Sequence, residues 1–293
     1  MPSLVADMTV DVGLGVPLSG LRADPPCEPP RGILIALHGG GARARYWHHP
    51  ADLSASLLEI GARLGWQVIA LDRPGYGASM ALRSRRLRVA DQVPAVVEVA
   101  NSAVRDVGTT VPVVLVGHSM GALLAIEAAA AGSPALAGIS VSGVPLAFTR
   151  EQQQQIMSAD ASGQTTRHSR RFAASIGDWF GPGDRWEAVL AYRSELFTTT
   201  PSGEMPDVLE APDRMPLLLS SIRSAVQFAA SGHERTTAPG PVVLEIARQN
   251  LTASCSIDAF LVAGAGHNLS LGRDARAYHL RVLAFAESVL AAT

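Results

Sequence analysis

Short, unbroken apolar runs that alternate with helical patterns constrain the fold of this 293-residue chain more than any other feature. Each of three apolar runs ends in glycines or in a Pro/Gly turn and is followed by a segment with helical character. These runs are GILIALHGG, WQVIALDRPGYGAS and VPVVLVGHSMG. Unbroken apolar strands that alternate with helices indicate a parallel sheet covered on both faces. We therefore predict an α/β fold with a mostly parallel central sheet. Alternating apolar and polar residues near the N-terminus predict an antiparallel edge hairpin before it.

A polar stretch from about residue 144 to residue 210 interrupts this alternation. It contains QQQQ and the loop-forming runs FGPGDRW and TTTPSGEMP, and it has helical pieces but no clear strand. Strand and helix patterns then resume up to the C-terminus. We interpret residues 1–143 and 211–293 as the two parts of one core, and residues 144–210 as a helical lid inserted over one edge of the sheet.

Charge and composition argue against several classes of partner. The net charge is -2, so the sequence has no excess of positive charge to attract nucleic acid or an anionic membrane. No apolar run approaches the ~18 residues of a membrane helix, and the start MPSLVADMTV lacks the features of a secretion signal. Cys27 and Cys255 lie far apart without metal-ligand spacing, which favours two reduced thiols. We expect a cytoplasmic protein that has neither nucleic acid nor a membrane as its partner.

The run LVGHSMGALLAIEAAA places Ser119 between Gly117 and Gly121, after a predicted strand and before a predicted helix. A tight strand-to-helix turn forces its central residue into strained dihedrals, and flanking glycines avoid clashes with neighbouring backbone. The N-terminus of the following helix points N–H groups at whatever binds the serine oxygen. In this context the pattern G-x-S-x-G is typical of a nucleophile elbow. The alternative is a serine that only caps the helix.

At this point the chain resembles the α/β-hydrolase superfamily over nearly its whole length, and in particular its lidded serine esterases and thioesterases. LHGGG resembles the oxyanion-hole loop of that family, DRPGYGAS its turn after the next strand, and GAGHN its histidine loop. The three glycines are also similar to those of hormone-sensitive-lipase-like esterases, which normally carry Asp before and Ala after the serine. The resemblance implies an acyl-enzyme mechanism that needs no cofactor and no metal.

A serine hydroxyl needs a base within hydrogen-bond reach. His267 follows an apolar strand, in the loop AGAGHN at the carboxyl end of that strand, which is the same edge of the sheet as Ser119. Both this position and the family order make it the predicted base. We expect His118 to point away from the same site. The family order of serine, acid and histidine favours Glu234, in SGHERTTAPG, as the acid that orients the imidazole. Asp258 is excluded because it begins the last strand, roughly 30 Å from the histidine loop.

The resemblance also implies an oxyanion hole built from two backbone N–H groups. Met120 supplies one, and Gly40 the other, with Gly41 as the second choice. We expect Trp47, Trp179 and Trp186 to line an apolar acyl pocket, although packing of the lid onto the sheet accounts equally well for most aromatic residues there.

Together these features predict a serine hydrolase that cleaves an ester or thioester of a small-molecule acyl substrate. Acyl transfer, cyclisation, C–C bond cleavage of a specialised metabolite, and a non-catalytic ligand-binding homologue remain as alternatives, and a homodimer is left open. We expect Arg43, Arg45 and Arg73 to be solvated, with contact to an anionic group of the substrate as the alternative. We expect Asp207 and Asp213 to be surface residues, and His38 to brace the glycine loop.

Overall fold

The computed structural model describes residues 3–26, 29–161, 176–184 and 186–292. Its strands form one sheet with the order β1-β2-β4-β3-β5-β6-β7-β8, in which β1, β2 and β4 are antiparallel neighbours and the other pairs are parallel. The strands are β1 (Val5–Val10), β2 (Leu18–Ala23), β3 (Ile33–Leu37), β4 (Gln67–Leu71), β5 (Val113–His118), β6 (Leu136–Ser142), β7 (Ala225–Ser231) and β8 (Ile257–Val262). This confirms the predicted mostly parallel sheet with a hairpin at its edge.

Helices connect the parallel strands. They are α1 (Leu57–Arg63), α2 (Val89–Val107), α3 (Met120–Ala130), α4 (Arg150–Ala161), α5 (Trp186–Ala191), α6 (Arg193–Leu196), α7 (Met205–Ser221), α8 (Gly240–Asn250) and α9 (Ala275–Ala292). Short 3-10 segments lie at Ala44–Trp47, Leu53–Ala55, Gly77–Arg85, Ile176–Trp179 and Ser202–Glu204.

The two faces of the sheet bury separate apolar cores. Successive side chains of a strand point to opposite faces, so an uninterrupted apolar strand must be covered on both sides. In β3, Ile33, Ile35 and Leu37 pack on the face covered by α2, α3, α7 and α8. Leu34 and Ala36 pack on the opposite face, under α1 and α9. This arrangement leaves the carboxyl ends of the parallel strands open to ligands, as open α/β sheets do.

The segment between β6 and β7 is helical in its described parts, and it contacts the core beside the glycine loop. Ala42 forms an antiparallel bridge with Phe197, and the N–H of Thr198 donates to the carbonyl of Gly41 at 2.8 Å. Helix α7 runs through residue 210, so the boundary predicted there falls inside a helix. The role of residues 144–210 as a lid stays a prediction.

Some sequence predictions concern residues outside the described ranges. Cys27 and the side chain of Trp186 are among these, whereas Cys255 is a free, exposed cysteine. Within the described ranges, no helix has both the length and the apolar character that crossing a bilayer requires. The cellular location inferred from the sequence stays a prediction.

Candidate active site

Ser119 occupies the turn between β5 and α3 with φ +52° and ψ -116°, a backbone conformation that L-residues rarely adopt. A Cβ at Gly117 would lie 2.5 Å from the carbonyl oxygen of Gly121, and a Cβ at Gly121 would collide with the carbonyl of Leu37. The N–H of Ser119 donates to the carbonyl of Ser142 at 2.8 Å, which ties the turn to the end of β6. Both glycines are therefore required by close backbone approaches, and the predicted strain at the central serine is confirmed.

His267 is oriented by a carboxylate from the loop after β7. Its Nδ1 lies 2.9 Å from Oε2 of Glu234, and it lies equally close to the hydroxyl of Thr236. The other oxygen of Glu234 accepts the backbone N–H of Arg235 and both the N–H and the hydroxyl of Thr236, at 2.7 to 3.0 Å. Because the carboxylate can only accept, Nδ1 of His267 carries the proton and Nε2 keeps its lone pair.

The same contacts hold Glu234 in its charged form. Burial by itself would raise the pKa of this carboxyl, but the adjacent His267 and the hydrogen bonds from His267 and Thr236 outweigh it. The pKa of Glu234 is therefore below its ordinary value, and the group is ionised at neutral pH. Sequence reasoning missed Thr236, and its only signal was a hydroxyl residue two positions after the predicted acid.

The glycine loop after β3 lies directly against the elbow. A Cβ on Gly39 would be 3.2 Å from Cβ of Ser119, and a Cβ on Gly40 would be 3.1 Å from Cγ of Met120. The N–H of Gly41 already donates to the hydroxyl of Tyr76 at 3.1 Å. The N–H groups of Gly40 and Met120 have no acceptor among the described residues. Of the two predicted glycines, only Gly40 thus keeps an available donor.

A fully buried ion pair lies behind this loop. The guanidinium of Arg73 contacts Glu204 at 2.6 Å, and its Nε donates to the carbonyl of His38 at 2.8 Å. Tyr76 donates its hydroxyl to Glu204 at 2.9 Å, so the group that accepts the Gly41 N–H is itself fixed. Burial would lower the pKa of Arg73, but Glu204 and Tyr76 raise it further than burial lowers it.

This network corrects one prediction and supports another. Arg73 is completely buried, because the Glu204 carboxylate neutralises it, and it is not a surface residue. His38 donates Nδ1–H to the carbonyl of Gly39 at 2.8 Å and accepts the backbone N–H of Arg73 on Nε2 at 3.2 Å. This side chain braces the loop, as expected. The prediction for Asp207 is also corrected, because this residue is buried and paired with Arg88 and Arg214 at 3.0 and 2.8 Å. Asp213 is exposed, as expected.

A cavity of about 170 Å³ contains Ser119 and His267 among its lining residues. Trp179 lines it as well, but Trp47 does not. Trp47 is fully buried, with its ring centroid 5.1 Å from that of Tyr46, and Tyr46 faces the cavity instead. The expectation for Trp47 is corrected, because consecutive side chains of the 3-10 segment Ala44–Trp47 point in different directions.

His118 also faces the cavity, which contradicts its predicted orientation. Its ring is stacked on Tyr46 with centroids 4.8 Å apart and lies 4.7 Å from the ring of His267. His118 follows Val114 and Val116 at strand spacing, so it shares their face of β5, where Tyr46 packs. The sequence neighbour of the serine is therefore a spatial neighbour of the histidine.

The described lining of the cavity contains no aspartate, glutamate, lysine or arginine. Its remaining members are apolar residues, glycines, threonines and an asparagine: Gly39, Gly40, Ala42, Met120, Gly143, Pro145, Phe148, Ile156, Phe197, Val208, Thr236, Thr237 and Asn268. In the described part of the chain, no group of three or more His, Cys, Asp or Glu side chains could hold a metal ion.

Comparison with known proteins agrees with this architecture. A family model described as "Alpha/beta hydrolase family" matches residues 34–279. The carboxyl esterase from Bacillus coagulans superimposes with a TM-score of 0.69 at 15% identity, covering 99% of this chain and 100% of the esterase. The thioesterase domain from the curacin biosynthetic pathway superimposes with a TM-score of 0.65 at 17% identity, covering 96% and 100% of the two chains.

A more local similarity is to protein phosphatase methylesterase 1 from Mus musculus. It is 33% identical over 108 residues, which is 36% of this chain and 26% of the mouse protein. The match thus spans about a quarter of the length of that relative. The family model, in contrast, covers the sheet from β3 to β8 together with the elbow and the histidine loop. The chain therefore belongs to the alpha/beta hydrolase family.

Proposed function

We propose that this protein is a serine hydrolase that cleaves a carboxylic ester or thioester through an acyl-enzyme. The observation that carries the proposal is the hydrogen bond of 2.9 Å between Nδ1 of His267 and Glu234. It leaves the basic Nε2 of a histidine in the same cavity as a serine on a strained elbow. This is the division of roles that a nucleophile, a base and an orienting acid require.

In the first half of the reaction, Oγ of Ser119 attacks the carbonyl carbon and its proton passes to Nε2 of His267. The C–O or C–S bond of the substrate then breaks, and His267 returns the proton to the departing alcohol or thiol. In the second half, water attacks the acyl-enzyme, His267 takes one of its protons, and the acid is released as Ser119 regains its hydrogen. Glu234 stays charged throughout and stabilises the imidazolium.

The oxyanion would be held by the N–H groups of Gly40 and Met120. Removing one such donor typically costs ~3–4 kcal/mol of transition-state stabilisation. Gly40 is favoured over Gly41 because the Gly41 N–H is already bonded to Tyr76. Met120 is the first residue of α3, so its N–H has no partner within the helix and lies at the positive end of the helix dipole.

Ester or thioester chemistry is supported by the similarity to an esterase, a thioesterase and a methylesterase. The cavity lining adds a second argument. Its described residues offer no charged side chain to an ionic substrate, so the acyl and alcohol parts are expected to be uncharged.

The proposal is tested by measuring p-nitrophenyl butyrate hydrolysis and labelling with a fluorophosphonate probe. Ser119→Ala is expected to abolish labelling and to lower kcat by at least about a thousandfold, because only binding and the oxyanion donors remain. Glu234→Gln is expected to keep the serine but to lower kcat by roughly a thousandfold or more, since a carboxamide no longer fixes and stabilises the imidazolium.

Glu98→Gln is the matched control, because Glu98 lies on α2, is not among the described residues that line the cavity, and pairs with exposed Arg105. It should retain wild-type turnover. Labelling or turnover that survives Ser119→Ala would reject the serine as the nucleophile, and full activity in Glu234→Gln would reject the proposed acid.

A further inference from the structure

Two side chains in the described lining of the cavity have a buried polar atom without a hydrogen-bond partner, the amide of Asn268 and the hydroxyl of Tyr46. Asn268 follows His267 directly and lines the cavity, yet it is only 6% exposed. Its Nδ2 is buried without a hydrogen-bond partner, and its side-chain amide makes no hydrogen bond to any described residue.

Two neighbouring hydroxyls of the cavity already have partners. The hydroxyl of Thr236 donates to Glu234 at 2.7 Å, and that of Thr237 donates to the carbonyl of Ala238 at 3.3 Å. Asn268 therefore differs from both threonines, and it differs from Tyr46 because a carboxamide offers two donors and an acceptor. Burying an amide without partners is unfavourable, and native proteins rarely do so without a reason.

The backbone of Asn268, in contrast, is fully engaged. Its N–H donates to the carbonyl of Trp179 at 2.9 Å, and its own carbonyl accepts the N–H of Leu271 at 3.0 Å. The first of these bonds connects Asn268, in the histidine loop, to the segment Ile176–Trp179. A fixed main chain thus holds Asn268 in the cavity wall, which is the preorganisation that a recognition residue needs.

The chemistry of the side-chain amide defines which ligand groups could form hydrogen bonds with it. A carboxamide both donates and accepts hydrogen bonds and carries no charge, so it suits a hydroxyl or carbonyl group. An empty cavity of about 150 Å³ holds one benzene molecule. The 170 Å³ cavity here therefore has room for at least the reacting part of a short ester.

We propose that Asn268 is a specificity-determining residue that hydrogen-bonds an uncharged hydroxyl or carbonyl group on a short ester substrate. The substrate class is thus a small, neutral ester with a second oxygen-bearing group, such as a hydroxy ester or a keto ester. This inference rests on the proposed ester hydrolysis at Ser119.

The test compares methyl β-hydroxybutyrate and methyl acetoacetate with methyl butyrate, which lacks the second oxygen. The wild-type protein is expected to prefer at least one polar ester by about tenfold in kcat/KM. Asn268→Leu, which keeps the branching of the side chain but removes its hydrogen-bonding atoms, is expected to reduce that preference to within about twofold of unity. Because all esters are measured on one preparation, a partly misfolded sample lowers every rate and leaves the ratio unchanged.

Thr237→Val is the matched control, because it removes a hydroxyl of the same cavity that already has a partner. Its substrate ratio should equal that of the wild type. If Asn268→Leu does not fold, Asn268→Ser gives the same comparison with a shorter polar side chain, and it should weaken the preference. A wild-type ratio near one, or a preference that survives Asn268→Leu, would overturn the proposal.

A binding measurement separates this proposal from the proposed function. In the Ser119→Ala background, β-hydroxybutyramide is expected to bind about tenfold more tightly than butyramide, and Asn268→Leu should remove the difference. If no ester is hydrolysed but this binding difference is present, the hydrolase proposal fails and the recognition proposal stands. Equal binding of the two amides would reject the role of Asn268 independently of catalysis.

Discussion

Strain at Ser119 predicts that this residue reduces the stability of the fold. Its φ of +52° and ψ of -116° lie outside the regions that residues with a Cβ favour, and strain of this kind costs about 1–3 kcal/mol. Glycine adopts such conformations readily but loses about 0.5–1 kcal/mol more on folding than alanine does. Ser119→Gly is therefore expected to be more stable than Ser119→Ala by about 1 kcal/mol. Both variants lack the hydroxyl, so the effect of losing it cancels when their free energies of unfolding are compared.

The reference is a serine in an ordinary helix. Ser102 lies in the middle of α2, where Gly is about 1 kcal/mol less stable than Ala. Urea unfolding of Ser119→Ala, Ser119→Gly, Ser102→Ala and Ser102→Gly would give four free energies of unfolding. Because the entropic effect of glycine is common to both sites, the difference between the two Ala–Gly comparisons measures the strain, about 1–3 kcal/mol. If glycine is less stable than alanine by the same amount at both positions, the elbow stores no strain and the reasoning is refuted.

Two further predictions concern buried ionisable groups. Glu204→Gln leaves the buried Arg73 without its counter-charge, so we expect a loss of about 3–5 kcal/mol in the free energy of unfolding, against less than about 1 kcal/mol for the exposed Glu98→Gln. Burial lowers the pKa of His279 from 6.5 to about 4, and a hydrogen bond to the carbonyl of Ala55 offsets this only in part. The unfolded chain then binds a proton that the native protein does not, so this contribution to stability is complete above pH 6.5 and falls by about 1.4 kcal/mol per pH unit towards pH 4. His279→Gln should remove this part of the pH dependence, measured as urea unfolding between pH 7.5 and 5.5, a range in which it amounts to about 1.3 kcal/mol.

The controls for these measurements come from the same chain. His233→Gln makes the same substitution at an exposed histidine and is the matched control. An unchanged slope in His279→Gln would contradict the assignment of a buried neutral imidazole. Equal losses in Glu204→Gln and Glu98→Gln would show that the buried pair has no greater effect than an exposed one.

Much of the architecture was predictable because it depends on local patterns. The apolar runs of β3, β4 and β5 required cover on both faces, and the glycines around Ser119 required a tight turn from strand to helix. Both expectations concern burial and dihedral angles, and both are confirmed. The placement of His267 beside Glu234 was an expectation from family order, and the hydrogen bond that joins them belongs to the folded structure.

The incorrect predictions share a physical cause. Arg73 was expected in solvent because arginines are usually solvated, and its partner Glu204 is 131 positions away. Whether Tyr46 or Trp47 faces the cavity depends on how one short 3-10 segment is rotated against the sheet. Such contacts form only when the order of strands and the path of residues 144–210 bring distant segments together.

The sequence by itself therefore determined the layered α/β fold, the strained serine and the edge of the sheet at which the candidate site lies. These follow from hydrophobic period and backbone sterics, which act between near neighbours. Only the tertiary structure decided which groups contact one another across that edge: the bond between Thr236 and Glu234, the engagement of the Gly41 N–H by Tyr76, and the unpaired amide of Asn268. Hydrogen bonds and ion pairs need a few ångströms of proximity and a suitable direction, and the fold sets both for residues far apart in the chain.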